Sequence, residues 1–383
     1  MRAPRTSRRF RRVEGFVRDY TAGLNSRDLR RLFDRDALQA YSVLTRDHAQ
    51  LQLPAGRLKK LLFRTRLAFL GLSYKLTPAR RALFAASLIA AVLGLTAGKF
   101  EYVSRARLHQ VVVEFSPFWF LLSIGALIFL LALELVDRIR VRDELEVARE
   151  LQADLLPRQI AAVPGYRFAH SYRTANQVGG DYYDITPLPA GGVALMVGDA
   201  SGHGMAAGLV MAIANATLKT ALDLDPSPQR VLALLNRTLC RTRTRRTFMS
   251  VFYALLDPAT GALESICAGH PYPLLRRARG EILELGRGSL PLGVRESLAV
   301  PSQRTTLLPG DLLVLYTDGL AEAVGSGGQH AFGFDRIAEL ARPGGTPQEV
   351  HDRILQAFDQ HVGGEPLHDD LTLMVVAREA TPA

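Results

Sequence analysis

Residues 195–205 read LMVGDASGHGM, and this stretch decides the fold of the larger part of the chain. An apolar run ends at Asp199, passes through a glycine-containing segment and continues after Gly204 as an apolar helical pattern. Glycine adopts the backbone angles that a tight turn needs, so the pattern predicts a strand, a turn and a helix that begins at Met205. Asp199 would therefore lie at the rim of a sheet.

Three further acidic clusters stand beside predicted strands. Gly179-Gly180-Asp181 opens one strand, Asp318 closes another, and Asp369-Asp370 precedes a third. Carboxylates at strand ends can direct several oxygens towards one point, and hard divalent cations such as Mg²⁺ and Mn²⁺ prefer oxygen ligands. The clusters therefore predict a cation site at one edge of the fold.

Around these clusters, short strand-like runs alternate with three longer helical stretches. Turn residues separate several successive strands, as at residues 257–261, which predicts antiparallel pairing. The sequence therefore predicts an α+β fold rather than one built from βαβ units. The predicted strands are 166–172, 193–198, 248–256, 263–268, 312–317 and 371–377, and the predicted helices are 205–222, 228–242 and 347–362.

The formal net charge of +10 is concentrated at the N-terminus. Residues 1–81 hold 20 basic and 6 acidic side chains, whereas the rest of the chain has a small excess of acidic residues. This distribution argues against nucleic acid as a partner of the whole chain. The chain has only 2 cysteines, which excludes a disulfide scaffold and a thiolate zinc cluster.

Two long apolar runs, 82–98 and 115–136, follow the basic segment. Each is long enough to cross a bilayer core, and Lys and Arg are more numerous outside the pair than in the connecting loop 99–114. We therefore expect a multi-pass transmembrane hairpin over residues 82–136 in the cell (inner) membrane, with both ends of the chain in the cytoplasm. Two buried helices of a soluble domain are the alternative.

The segments that flank this hairpin are amphipathic. The cytoplasmic segment 1–81 is predicted to be partly helical, and residues 56–72 fit either a helix on an anionic lipid surface or a solvated charged helix. Residues 137–157 form a predicted linker helix with an apolar stripe. The stripe over 138–156 can pair with a second copy as a short coiled coil, which would give a homodimer, or pack on its own domain.

From about residue 144 to residue 378 the chain resembles the SpoIIE/RsbU-type branch of the metal-dependent (type 2C, PPM) serine/threonine protein phosphatases. The stretches that carry the resemblance, in family order, are ELQADLLP, VGGDYYDI, LMVGDASGHGMAAGLVM, FMSVFYALLD, AGHPYPLL, PLGV, LPGDLLVLYTDGLAEA, FGFDRI and DDLTLMVVA. The resemblance implies an αββα sandwich, two antiparallel sheets packed face to face with helices outside, as a phosphatase domain over residues 158–383.

The resemblance also implies a binuclear site for two Mn²⁺ or Mg²⁺ ions. The positions that match the family's metal ligands are Asp181, Asp199, Ala200, Asp318, Asp369 and Asp370. In this pattern Asp199 bridges the two ions and Ala200 offers its backbone carbonyl. Asp181 binds directly or through water, and Asp370 either assists the last ligand or caps the start of its strand.

Two cations held in this way would neutralise a phosphate group and activate a bridging water for in-line attack. The leaving serine or threonine oxygen needs a proton, for which His203 beside the metal loop is a candidate; a role at the start of the helix is the alternative. By analogy with the family, the substrate would be a phosphorylated anti-sigma-factor antagonist (STAS domain) in a partner-switching pathway.

Two other functions fit parts of the sequence. Gly179-Gly180-Asp181 is similar to the signature of membrane-anchored diguanylate cyclases, but Tyr182-Tyr183 follows where that signature has Glu-Phe. A catalytically inactive module that keeps the fold and binds a partner would have no need of the acidic positions, which are intact. We therefore expect a membrane-anchored protein serine/threonine phosphatase.

Overall fold

The computed structural model describes residues 63, 69–70, 72–96, 99–104, 109–114, 116–157, 160–242, 247–325 and 330–379. The predictions for the basic N-terminal segment, including most of the amphipathic stretch 56–72, lie outside the described residues. The chain divides into two compact units, Met1–Arg138 and Ile139–Ala383.

A strand hairpin joins two helices in the first unit. Helix α1 spans Pro78–Thr96, strands β1 and β2 span Lys99–Ser104 and His109–Glu114, and helix α2 begins at Ser116. The two strands pair antiparallel along their whole length. The expectation of a simple loop over 99–114 was wrong at this point. Valine-rich sequence such as 111–113 favours an extended backbone, which accounts for the pairing.

Helix α2 is one continuous helix over Ser116–Leu155. Its 40 residues correspond to about 60 Å at the usual rise per residue. The second apolar run and the linker, which the sequence suggested as separate elements, thus form a single helix. No proline or glycine interrupts residues 126–156, and the helix ends just before Pro157.

Helices α1 and α2 are fastened to each other near both ends of α1. The Ser116 hydroxyl donates a hydrogen bond of 2.7 Å to the carbonyl oxygen of Gly94. At the other end the Arg80 guanidinium lies 3.2 Å from a carboxylate oxygen of Glu134 and 2.7 Å from one of Asp137. These contacts fix the register of the helical hairpin.

Three described helices are long and apolar enough to cross a membrane, namely Pro78–Thr96, Ser116–Leu155 and Met205–Leu224. The most apolar windows of the first two are only 17% and 6% buried within the structure. The third, helix α3, buries one face in the protein core through Met211, Ala214 and Leu218. Its apolar composition is therefore explained by packing in the second unit.

The second unit contains two five-stranded antiparallel sheets. Its strands are β3 (Tyr166–Arg173), β4 (Asp181–Pro187), β5 (Val193–Ala200), β6 (Met249–Leu256), β7 (Ala262–Ala268), β8 (Leu274–Arg276), β9 (Ile282–Glu284), β10 (Gln303–Thr306), β11 (Leu312–Tyr316) and β12 (Leu371–Arg378). The strand order is β10-β7-β6-β5-β4 in the first sheet and β3-β12-β11-β8-β9 in the second.

Helices cover the outer faces of both sheets. Besides α3, they are α4 (Pro228–Thr242), α5 (Asp318–Ala321), α6 (Phe334–Ala341) and α7 (Pro347–Val362). Helices α3 and α4 contact the first sheet, and α7 contacts β3 and β12 of the second. The predicted α+β class and the sandwich of two antiparallel sheets with helices outside are thus confirmed.

Alternation along β11 shows how the layers are held together. Leu313 and Leu315 point into the core that fills the space between the sheets, whereas Val314 and Tyr316 point into the core beneath α6 and α7. A strand with both faces buried reads as a continuous apolar run, and LLVLY fits that pattern. The polar residues that follow β11 therefore lie at the edge of the sandwich.

Candidate metal centre

The first sheet places two of the predicted ligands opposite each other. Asp181 begins β4, Asp199 lies near the end of β5, and the two residues are direct partners in the antiparallel register. Gly180 permits this arrangement, because a Cβ there would lie 2.9 Å from the Ala200 carbonyl oxygen and 3.0 Å from the Ala207 Cβ. The close approach of these segments therefore requires glycine at position 180.

The second sheet contributes the other acidic residues from adjacent strands. Asp318 starts α5 directly after β11, and Asp369-Asp370 immediately precedes β12, the antiparallel neighbour of β11. Gly319 lets the two segments meet, since a Cβ there would lie 2.0 Å from the Asp370 carbonyl oxygen. Both sheets thus present carboxylates at the same edge of the sandwich.

Asp181 links the two sheets through two threonine hydroxyls. The Oγ1 atoms of Thr317 and Thr372 each donate a hydrogen bond of 2.7 Å to Oδ2 of Asp181, which is 1% exposed. Thr317 Oγ1 also accepts a bond of 2.9 Å from the backbone N–H of Thr372. These bonds orient one oxygen of Asp181 and leave Oδ1 for other contacts.

Asp370 is engaged by the backbone of the segment that leads into β4. Its Oδ1 accepts a hydrogen bond of 2.8 Å from the Ala175 N–H, and its Oδ2 accepts one of 2.5 Å from the Gly180 N–H. Both carboxylate oxygens thus contact the segment before Asp181, a contact that neither expected role, assisting the last ligand or capping the start of β12, includes.

The convergence of the carboxylates raises their pKa values. Burial raises the pKa of Asp199 to about 8, with further contributions from the charges of Asp318, Asp369 and Asp370. The pKa of Asp181 is raised well above its usual value by burial and then by Asp199. Burial also raises the pKa of Asp318, and the Asp369 charge adds to this effect. The edge therefore concentrates negative charge in a partly desolvated place.

This chemistry fits a divalent cation. Oδ1 of Asp318 is buried and has no hydrogen-bond partner among the described residues. A buried carboxylate oxygen without a donor is costly unless a cation satisfies it, and Asp199 gains in the same way from a neutralising charge. An all-oxygen donor set suits Mg²⁺ or Mn²⁺. In the described part of the chain, however, no group of three or more His, Cys, Asp or Glu side chains is placed close enough together to hold a metal ion as the side chains stand.

His203 lies in the turn between β5 and α3. Gly202 and Gly204 on either side have φ angles of 97° and 67°, in the left-handed region where glycine is favoured. The His203 side chain is exposed, and no hydrogen bond or ion pair to it occurs within the described residues. The start of α3 has no side-chain capping hydrogen bond, so His203 does not cap this helix.

One site residue that the sequence did not single out is Gln152. It lies in the last turns of α2, is 6% exposed, and pairs through both amide atoms with the peptide group of Gly179. Its Nε2 donates to the Gly179 carbonyl oxygen, and the Gly179 N–H donates to its Oε1 over 2.9 Å. The sequence signal was a polar amide within an otherwise apolar and charged helix.

The chain is similar to proteins of known family. The family model described as "Stage II sporulation protein E (SpoIIE)" matches residues 189–379. The chain is 24% identical over 277 residues to "Protein IcfG" of Synechocystis sp. and 23% identical over 243 residues to "Phosphoserine phosphatase RsbP" of Bacillus subtilis. These matches cover 65% and 62% of this chain but 43% and 59% of the relatives, so the chain spans about half the length of these relatives.

A solved structure shows the same fold. The SiaA-PP2C domain of Pseudomonas aeruginosa is similar with a TM-score of 0.56 at 22% sequence identity. The match covers 64% of this chain and 99% of that domain. At this level of identity the similarity concerns the arrangement of the two sheets and their helices.

Proposed function

Because the chain belongs, through its two-sheet domain, to the SpoIIE/RsbU-type branch of the metal-dependent (PPM) serine/threonine phosphatases, we propose that it hydrolyses phosphoserine or phosphothreonine on a protein substrate. The observation that carries the proposal is that carboxylates from both sheets lie near enough to influence one another, and that Oδ1 of Asp318 among them is buried without a hydrogen-bond partner in the described residues. RsbP, a relative over 62% of this chain, carries the name phosphoserine phosphatase.

In this proposal the metal-holding residues are those of the sandwich edge. Asp199 and Asp318 supply carboxylates from the two sheets, Asp369 supplies a third, Ala200 offers its carbonyl oxygen, and Asp181 contributes directly or through water. Two bound Mn²⁺ or Mg²⁺ ions would supply charge neutralisation for the phosphate and activation of a water molecule. We propose that Asp370 acts beside these ligands by holding the backbone before Asp181.

Residues of this chain would then orient a proposed ligand and donate a proton to the leaving group. Thr317 and Thr372 keep the Asp181 carboxylate in one orientation. Exposed His203, in the turn directly after Asp199, is the proposed donor of the proton that the leaving serine or threonine oxygen needs. No hydrogen bond or ion pair within the described residues fixes the His203 imidazole, so the ring can reorient towards the leaving oxygen.

The most direct experiment measures hydrolysis of p-nitrophenyl phosphate by the full chain in detergent, with and without Mn²⁺. We expect metal-dependent activity that Asp199→Asn and Asp318→Asn each reduce by at least about 100-fold, since each removes a ligand of the activating ions. Asp223→Asn is the matched control, because Asp223 is exposed on α3. Full activity in both ligand variants would contradict the assignment.

The same measurement separates the proposal from its alternatives. A catalytically inactive module would bind Mn²⁺ without turnover, and a diguanylate cyclase would consume GTP. Loss of metal binding in Asp318→Asn, measured by calorimetry, together with loss of turnover would favour the phosphatase over both.

We also propose where the protein acts. Helices α1 and α2 are apolar and mostly exposed in the first unit, which supports the proposed hairpin in the inner membrane with both termini in the cytoplasm. The physiological substrate would be a phosphorylated STAS-domain anti-sigma-factor antagonist, and residues 138–156 would pair two copies. Phosphoproteomes of cells with and without the chain test the substrate, and light scattering of the detergent-solubilised chain tests the dimer.

A further inference from the structure

A cavity of about 440 Å³ is lined by residues that follow β7 and by residues of, or next to, β9, β11 and α6. We name it the Glu284 pocket. The residues that give it its character are Tyr272, Tyr316, Phe334, Glu284, His270 and Ser289. Two lining residues lie near proposed ligands: Tyr316 ends β11 two positions before Asp318, and His270 is hydrogen-bonded over 2.9 Å to Ser250, the register partner of Asp199.

Three aromatic residues line the Glu284 pocket, and because Tyr316 is only 2% exposed, Phe334 and half-buried Tyr272 present the accessible ring surface. The rings of Tyr316 and Phe334 lie 6.2 Å apart between centroids at an interplanar angle of 47°. The Tyr316 hydroxyl donates a hydrogen bond of 3.1 Å to the Tyr272 carbonyl oxygen, which ties the two tyrosine segments together. Phe334 is 46% exposed, an unusual exposure for a phenylalanine that has a core available on its own helix.

A single negative charge faces these rings. Glu284, at the end of strand β9, is the one charged side chain that lines the cavity among the described residues, and it has no ion-pair partner there. His270 contributes no charge, because burial lowers its pKa to about 3.

Aromatic faces together with one unpaired carboxylate are complementary to a cationic side chain. A guanidinium or ammonium group is attracted to the negative face of an aromatic ring and to a carboxylate. We propose that the Glu284 pocket binds a lysine or arginine side chain that lies close to the phosphorylated residue of the protein substrate. This inference rests on the proposed phosphatase activity, and it assigns that activity a preference for basic residues near the phosphate.

The experiment compares one phosphoserine peptide series, in which a single arginine is moved through the three positions on either side of the phosphoserine, with an all-alanine parent. With the full chain in detergent and saturating Mn²⁺, we expect arginine at one position to raise kcat/KM about tenfold, as cation–π and ion-pair contacts of this kind allow. Glutamate at that position should not raise it.

Two substitutions test whether the preference for arginine near the phosphoserine arises in the Glu284 pocket. Glu284→Gln should abolish the advantage of arginine, and Glu284→Arg should transfer the advantage to glutamate. Glu281→Gln is the matched control, because Glu281 is an exposed carboxylate at the turn of the same hairpin. Glu281→Gln should hydrolyse p-nitrophenyl phosphate and retain the advantage of arginine like the parent chain, since Glu281 lies outside both the metal centre and the lining of the pocket. For the Glu284 variants the readout is the ratio of kcat/KM between the arginine and alanine peptides.

Each outcome bears on one proposal alone. No advantage of arginine at any position, or an advantage that Glu284→Gln leaves unchanged, overturns the role of the pocket while phosphatase activity stands. Failure of the parent chain to hydrolyse p-nitrophenyl phosphate with Mn²⁺ overturns the proposed function itself.

Discussion

Gln152 and Gly179 pair like two amides in a sheet, although one is a side chain on helix α2 and the other is a peptide group in the loop before Asp181. The pairing occupies both the donor and the acceptor of the Gly179 peptide. A buried peptide group that loses such a partner is left with unsatisfied hydrogen-bonding atoms. The position of the loop that carries Asp181 therefore depends on the end of α2.

Replacement of Gln152 should weaken metal binding at a distance from the ligands. We expect Gln152→Ala to raise the Mn²⁺ dissociation constant about tenfold, because loss of two buried hydrogen bonds costs about 1–3 kcal/mol and displaces the Asp181 loop. Isothermal titration with Mn²⁺ measures the change. Glu150→Ala on the exposed face of the same helix is the control, and an unchanged affinity in Gln152→Ala would show that the loop holds its position alone.

The two threonines on Asp181 should contribute stability as well as orientation. We expect Thr317→Val and Thr372→Val each to lower the free energy of unfolding by about 1–3 kcal/mol, because each leaves a buried carboxylate oxygen short of a hydrogen bond. Urea denaturation of the metal-free protein provides the measurement. Thr220→Val, which removes an exposed hydroxyl on α3, serves as the reference, and an equally small loss in all three variants would refute the bridge.

Gly319 should tolerate no side chain. A Cβ at this position would lie 2.0 Å from the Asp370 carbonyl oxygen, so Gly319→Ala must separate β11 from the start of β12 and with them Asp318 from Asp369. We expect the variant to lose Mn²⁺ binding and to unfold at a lower temperature. Gly192→Ala, where the nearest atom to a new Cβ is 3.4 Å away, is the control for glycine replacement in a turn. Thermal unfolding with and without Mn²⁺ distinguishes the two.

The metal-free protein should become less stable as the pH rises. The pKa of Asp199 is about 8 in the folded chain and about 3.9 when unfolded, so the folded state binds the proton more tightly between these values. Linkage then requires the free energy of unfolding to fall as the pH rises through this window and to level off above it.

Thermal unfolding in EDTA at pH 5, 7 and 9 checks this expectation. Excess Mn²⁺ should reverse the trend, because deprotonated carboxylates bind the ion more tightly as protons are withdrawn. Asp199→Asn should flatten the dependence in EDTA. A melting temperature of the metal-free parent that rises from pH 7 to pH 9 would be inconsistent with the raised pKa of Asp199.

Much of the site could be predicted because its carboxylates follow from local pattern. Asp199, Asp318 and Asp369 each stand at the end of a strongly apolar strand, and strand ends meet at the edges of a sheet. The bounds of helices α3, α4 and α7 agree with the sequence prediction to within two residues. Helices α4 and α7 carry a clear 3.6-residue periodicity, whereas α3 is an apolar run that follows the glycine-containing turn.

The remaining features depend on contacts between distant residues. Strands β8 and β9 have three residues each, too few for an alternation to be recognised. Gln152 selects a partner 27 residues away, and Asp370 selects two backbone groups about 190 residues away. Propensity and periodicity describe a residue's neighbours in sequence, so they give no information about such partners.

Asp181 is both a proposed metal ligand and a link between the two sheets. Few substitutions at this position could therefore abolish the proposed activity without also destabilising the fold. Its Oδ2 links the two sheets by accepting hydrogen bonds from two hydroxyl groups. An apolar replacement would therefore remove the proposed ligand and also destabilise the packing of the two sheets. Asparagine keeps an oxygen that accepts both hydroxyl protons and gives up the negative charge. A related protein that has lost the activity but keeps the fold is therefore expected to carry asparagine at position 181, and this substitution would identify it from sequence.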